Sequence, residues 1–125
     1  YIKEYSGKLS AFCGCGIAAG CGMACGLAFL RGAKESQVGM VIRNMASGLT
    51  GMICDGGNHG CPMKGIVAVD AAYRAVDLAM QDAAIGEIHG INGRTPEETM
   101  RYMGMIASPG MVHTEETIVG IMGQK

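Results

Sequence analysis

The feature that most constrains the fold is a run of 22 residues, positions 9–30, without a single charged side chain. A helix of that length could span a bilayer. Its five glycines and four cysteines lower its hydrophobicity, however, and it has no Trp or Tyr to anchor a span at the membrane interface. We therefore predict a helix over residues 9–31 that is buried on all sides in a core and does not cross a membrane.

Glycines recur in this predicted helix at a spacing of four residues, in the pairs Gly16 and Gly20, and Gly22 and Gly26. Residues four apart lie on one face of a helix, so each pair leaves bare backbone there. Bare backbone lets a second helix approach closely. We expect the packing gained in this way to offset the low helix propensity of glycine, about 1 kcal/mol per residue against Ala.

Apolar periodicity predicts two further helices, over residues 35–53 and 62–85. In the second of these, Pro62 suits the first helical position, which makes Cys61 the N-cap. The predicted buried face of the first consists of Val38, Val41, Ile42, Met45, Leu49, Met52 and Ile53. That of the second consists of Ile66, Val69, Tyr73, Val76, Met80 and Ala83.

Two shorter helices are predicted in the last third of the chain. Thr95 followed by Pro96 and Glu98 is a strong helix start, and this helix is predicted to run to about Ala107. A final helix is predicted over residues 114–122. About five helices without an internal repeat or a linker predict an all-α fold in one compact domain that takes in the whole chain.

The composition argues against nucleic acid as a partner. The chain has 10 basic and 11 acidic residues, a net charge of −1, and therefore no positive field to attract a phosphate backbone. Trp is absent, so platforms on which bases could stack are not expected. The chain opens at Tyr1 rather than at a Met, and we expect it to be a fragment of a larger protein.

Six cysteines, an even number, could form disulfides. Disulfide-rich secreted domains are usually short, rich in loops and poor in aliphatic residues, whereas this chain is rich in Ala, Ile, Val, Leu and Met. We therefore expect a cytoplasmic protein whose thiols are reduced, and some of these thiols are expected to bind metal.

The strongest metal-binding pattern is the segment CDGGNHGC, in which Cys54 and Cys61 flank a glycine-rich loop between two predicted helices. Glycine backbone can wrap closely around a metal centre because it has no Cβ and can adopt positive φ. The start of a helix favours the thiolate form of Cys61, which is the form that binds metal. The alternatives are two inert, buried cysteines, or a structural zinc site, although zinc sites more often use a shorter CxxC pair.

A further ligand is expected from Cys13 or Cys15 at the start of the predicted buried helix. Two cysteines one residue apart rarely bind one metal centre together, so one of them is expected to be the ligand. Cys21 and Cys25 share a face of that helix and are interpreted as small, buried apolar residues.

Two polar residues are candidates for contact with a substrate. His59 inside the cysteine loop could be a fourth ligand, a substrate contact or a solvated loop residue. Lys64, one turn into the helix that follows, could bind a substrate carboxylate, or it could simply extend its ammonium group into water.

The segments LSAFCGCGIAAGCGMACGLAFLRG and NMASGLTGMICDGGNHGCPMK resemble the C-terminal part of the serine dehydratase α-chain superfamily. The resemblance covers roughly residues 8–122 and is closer to the L-cysteine desulfidase-like branch. It implies a 4Fe–4S cluster held by three cysteines, with one iron left open. The late ligands of the family match Cys54 and Cys61, and its early ligand matches Cys13 or Cys15, with Cys13 preferred. Serine dehydratases proper have a longer gap between the late cysteines, so the spacing here favours the desulfidase branch.

The resemblance implies a lyase that works without pyridoxal phosphate. Its small amino-acid substrate, L-cysteine, would lose hydrogen sulfide with the help of the open iron, and the product would hydrolyse to pyruvate and ammonia. The base and most substrate contacts would come from an N-terminal catalytic region of the same protein or from a partner subunit. The alternatives are an L-serine dehydratase, or a non-catalytic metal-binding or interaction module of the same fold. A homo-oligomer is compatible with the sequence.

Overall fold

The computed structural model describes residues 1–7 and 10–125, so the predicted helix start at Leu9 lies outside the described residues. The prediction of helix over residues 10–13 is wrong, because this segment pairs with the chain around Ile53 and the helical structure begins at Gly14. The α-helices are α1 (Ile2–Ser6), α2 (Gly20–Leu30), α3 (Glu35–Leu49), α4 (Cys61–Met80), α5 (Pro96–Met105) and α6 (Val112–Met122). Two π-helical segments adjoin them, Gly14–Ala19 before α2 and Ile106–Gly110 after α5. The described residues contain no strand, and the predicted all-α fold in one compact domain is confirmed. The short α1 was not among the predicted helices.

Helices α3 and α5 follow their sequence signals closely. Helix α3 buries four residues of its predicted apolar face, Val41, Ile42, Met45 and Leu49. It ends at Leu49 rather than at residue 53, because the chain beyond it runs extended beside another segment. At the start of α5, the Thr95 hydroxyl accepts a hydrogen bond from the Glu98 N–H at 3.1 Å, so the predicted cap is confirmed.

Small residues set how closely α2 approaches α4. A Cβ on Gly20 would lie only 3.3 Å from the Ala68 Cβ, so the two helices touch at this point through bare backbone. The predicted glycine contact is therefore present at Gly20. It is absent at Gly22 and Gly26, which face open space, while Gly16 faces the Met52 side chain instead of a helix.

Helix α2 is not buried on all sides, and that prediction is wrong. Only one face of the helix is buried, the face that carries Gly20, Cys21, Ala24 and Ala28. Phe29 and Leu30 at its end are 77% and 82% exposed, because none of the other described elements packs over them. Among the described helices, none combines the length and the apolar character needed to cross a membrane.

The buried face of α4 was also predicted wrongly. The helix packs on α2 and α3 through a row of small residues, Ala68, Ala72, Ala75, Val76 and Ala79. Of the predicted face, Val76 is buried, but Ile66, Val69 and Tyr73 are exposed. Small side chains permit a closer approach between helices than large ones, which is why the alanine face is the one that packs. The helix ends at Met80 rather than at residue 85, and Asp82 just beyond it has φ +57°.

Candidate metal centre

Two extended segments bring Cys13 and Cys54 side by side. Phe12 stands opposite Ile53 in an isolated antiparallel bridge. The Cys13 N–H donates to the Met52 carbonyl at 3.1 Å, and the Cys54 N–H donates to the Ala11 carbonyl at 2.6 Å. This pattern makes the two cysteines diagonal neighbours across the pair, at a Cα separation of roughly 7–8 Å. Two residues that are 41 positions apart in sequence thus lie close together in the fold.

Cys13 is buried, with 6% of its surface exposed, at the N-terminal end of the π-helical segment. Its sulfur accepts a hydrogen bond from the Gly16 N–H at 3.3 Å. A Cβ on Gly16 would collide with the Met52 sulfur and would lie 3.3 Å from the Cys13 sulfur. Glycine at position 16 therefore allows the backbone to come close to the thiol of Cys13.

The loop between Cys54 and Cys61 is held by its own hydrogen bonds. The Asn58 side chain accepts from the Gly60 N–H at 2.6 Å and donates to the Gly56 carbonyl at 3.3 Å. Gly56 adopts φ +92°, a left-handed conformation that favours glycine. The same Gly56 carbonyl accepts from the Cys61 thiol at 3.6 Å. The loop thus turns back and presents Cys61 near its start.

Cys61 is the first residue of α4, and Gly60 is the N-cap. The prediction of Cys61 as N-cap and Pro62 as the first helical residue is wrong by one position, because the helix begins one residue earlier. Cys61 still lies at the positive end of a 20-residue helix, and its side chain is exposed.

The six cysteines are free thiols, and all of them line one cavity of about 760 Å³. The four candidate ligands Cys13, Cys15, Cys54 and Cys61 are therefore brought to a common space. In the part of the chain that the structure describes, no group of three or more His, Cys, Asp or Glu side chains is close enough to hold a single metal ion.

Cys21 and Cys25 form a different part of the cavity wall. Cys21 is 3% exposed, and burial raises the pKa of its thiol to about 12. Burial also raises the pKa of the Cys25 thiol. Both residues thus favour the neutral thiol, which agrees with their interpretation as small apolar residues.

Lys64 places its ammonium group within electrostatic reach of two thiols, those of Cys13 and Cys61. It forms an ion pair with the Asp55 carboxylate, and this hydrogen bond is the main reason why the pKa of Lys64 is raised and that of Asp55 is lowered. Negative charge on Cys13 or Cys61 raises the pKa of Lys64 further. Lys64 lines the cavity and stays protonated there.

The position of His59 and the ion-pair partner of Lys64 were not evident from the sequence. His59 is exposed on the loop and is not among the residues that line the cavity. Asp55 was not recognised as the partner of Lys64. Its signal was an acidic residue directly after Cys54, but only the turn of the loop brings it back to α4.

Comparison with known proteins gives one family. The family model described as "Serine dehydratase alpha chain" matches residues 1–120. A UPF0597 protein of Clostridium botulinum is 46% identical over 122 residues, which are 98% of this chain and 29% of that protein. A UPF0597 protein of Caldanaerobacter subterraneus is 43% identical over 125 residues, the whole of this chain and 30% of that protein. The chain thus spans less than a third of the length of these relatives. No solved structure matches it.

Proposed function

This chain belongs to the serine dehydratase alpha chain family, and from that premise we propose that it is the cluster-binding part of a lyase acting on L-cysteine. The enzyme would depend on a 4Fe–4S cluster, work without pyridoxal phosphate, and release hydrogen sulfide, leaving pyruvate and ammonia. The observation that carries the proposal is the presence of Cys13, Cys54 and Cys61 around one cavity beside the Lys64 ammonium. Because this chain matches less than a third of the length of its relatives, the complete activity is expected to need residues from outside it.

The residues around the cavity fit such a cluster. Cysteine thiolates are the usual protein ligands of iron–sulfur clusters, and each binds a different iron, so the thiols need not meet at one ion. We take Cys13, Cys54 and Cys61 as the ligands. Cys13 is preferred over the exposed Cys15 because its backbone is hydrogen-bonded to the segment that leads to Cys54. Six glycines line the cavity and leave room for a bulky inorganic group, Gly14, Gly16, Gly22, Gly56, Gly57 and Gly65.

Lys64 is the proposed site for the substrate carboxylate. When bound, the cluster would supply a Lewis-acidic iron that polarises the leaving group of the substrate. The Lys64 ammonium lies in the same cavity, and Asp55 holds both its position and its charge. A protonated Lys64 is a poor base, and His59 lies outside the cavity. The base that removes the α-proton is therefore assigned to the N-terminal catalytic region or partner subunit.

The α2 side of the cavity supports a thiol as the leaving group. Its wall there is apolar and includes Cys21 and Cys25 of α2 and Ala18 of the π-helical segment before it. A hydroxyl buried against such a wall without a partner costs roughly 1–3 kcal/mol, whereas a thiol is only a weak donor and loses less. This contrast favours L-cysteine over L-serine, which is the alternative substrate.

The test is an assay of the complete protein, purified and reconstituted without oxygen. With L-cysteine we expect sulfide and pyruvate in equal amounts. Pyruvate from L-serine alone would support the dehydratase alternative, and no product from either amino acid in an iron-loaded protein would support a non-catalytic module. Lys64→Met should raise the KM for L-cysteine about tenfold, a loss of about 1.4 kcal/mol of binding, without changing the iron content. The exposed Lys34→Met is the matched control, with an unchanged KM.

A further inference from the structure

Helix α4 carries a second apolar face that this chain leaves uncovered. Pro62, Ile66, Val69 and Tyr73 follow the spacing of a core-facing helix surface, and we refer to them as the α4 stripe. Ile66 is 53% exposed, Val69 39% and Tyr73 54%. The alanine face of the same helix is already buried against α2 and α3. The helix is therefore apolar on two sides, but only one of them is packed.

The exposure of the α4 stripe differs from that of ordinary surface residues. Single exposed apolar side chains are common on proteins, whereas a continuous row of them marks a contact surface. The row also starts at the cavity, because Cys61 and Gly65 of the same helix line it. A body that covered the α4 stripe would lie next to the exposed side of Cys61.

We propose that the α4 stripe is the docking surface for the catalytic region of the same protein, which thereby closes the cavity beside Cys61. The inference rests on the proposed function. Its occupant is indicated by the relatives, in which this chain matches 29–30% of the length and more than two thirds lies outside the match. A region of that size has enough surface to cover the row.

A charged residue beside the α4 stripe indicates which side chains its partner should present. Asp70 lies beside the stripe on the helix, is exposed, and has no ion-pair partner among residues 1–7 and 10–125. The Asp70–Arg74 pair that their spacing would permit is thus not formed. The catalytic region is expected to present an apolar row to Ile66 and Tyr73, with a basic side chain opposite Asp70.

The experiment places the photo-crosslinking residue p-benzoylphenylalanine at Tyr73 in the complete protein, kept free of oxygen. After irradiation, peptide mapping should find a link from position 73 to the catalytic region. The same residue at Ile88, which is 85% exposed in a loop, is the control and should give no such link. Ile66→Glu should lower the yield at position 73 severalfold, and Ile88→Glu should leave it unchanged.

Links between two copies of this segment would overturn the proposal, because the stripe would then be an interface between copies. Equal yields at positions 73 and 88, or no link from either, would also overturn it. The iron content and sulfide release of the same preparation test the proposed function separately. A link to the remaining region in a protein that binds no iron would retain the docking surface and reject the lyase.

Discussion

Two walls of the cavity carry cysteines in opposite surroundings. On the first, the ligand wall, Cys13 and Cys61 lie at the starts of helical segments and Cys54 lies in an extended segment. The Cys13 sulfur accepts a hydrogen bond from the Gly16 N–H, and Lys64 lines the same cavity. On the second, the helix wall, Cys21 and Cys25 lie inside α2, where burial raises the pKa of both thiols. Cys21 and Cys25 line the same cavity, but burial favours their neutral thiols, and the thiolate is the form that binds metal, so nearness to the cavity alone does not make a cysteine a good candidate ligand.

The largest expected effect is the loss of the cluster when the ligand wall is changed. Cys54→Ser or Cys61→Ser should abolish retention of iron, because serine offers no soft sulfur ligand. Cys25→Ser on the helix wall is the matched control and should retain iron at the level of the unchanged protein. Iron and sulfide analysis of the three anaerobic variants checks this. Equal iron content in all three would remove the distinction between the walls.

A second comparison separates the two candidates for the early ligand. Cys13→Ser should lose most of the bound iron, because Cys13 is fixed beside Cys54 by two backbone hydrogen bonds. Cys15→Ser changes an exposed side chain and should keep the iron. The reverse result would assign the ligand to Cys15 and leave Cys13 as a packing residue.

The rate at which each cysteine is alkylated in the cluster-free protein gives another comparison of the two walls. With a pKa of about 12, only about one Cys21 thiol in ten thousand is ionised at pH 8. Because the thiolate is the reactive form, we expect iodoacetamide to modify buried Cys21 at least about a hundredfold more slowly than exposed Cys61. Mass spectrometry of digested samples gives both rates. Labelling of Cys21 as fast as Cys61 in the folded protein would show that the helix wall is not protected.

The smallest expected effect concerns the backbone that supports the ligand wall. Gly16→Ala should lower the free energy of unfolding by about 1–3 kcal/mol, since its Cβ would push the Met52 side chain away from the Cys13 segment. Gly26→Ala is the control on α2, where the new Cβ meets open space, and it should be neutral or stabilising by up to about 1 kcal/mol. Urea titration of both variants measures the difference. Equal effects would mean that Gly16 is not constrained by its neighbours.

The sequence predicted what depends on local patterns. The buried side of α3 and the Thr95 cap follow from residues close together in the chain. Four of the seven residues predicted for that side are buried, Ile53 is exposed, and the cap is confirmed. The contact of the Cys13 and Cys54 segments depends on pairing across 41 residues, which no local pattern reveals. The exposed face of α4 was mistaken for its buried face because periodicity shows that a face is apolar, but not which body covers it.

The glycine pattern marks a further limit of sequence reading. Gly20 mediates the predicted helix contact, but Gly22 and Gly26 have the same spacing and face open space. Likewise, nothing in the spacing of Asp55 and Lys64 indicated that they form an ion pair, because the loop between them must first turn back. The residue types of the site were predictable, whereas their mutual arrangement required the fold.

The most direct test of the account is the metal content of the complete protein after anaerobic reconstitution with iron and sulfide. We expect about four irons and about four acid-labile sulfides per chain, with a broad absorption band near 400 nm, as a [4Fe–4S] cluster requires. One equivalent of zinc with no iron would contradict the central claim that Cys13, Cys54 and Cys61 hold an iron–sulfur cluster.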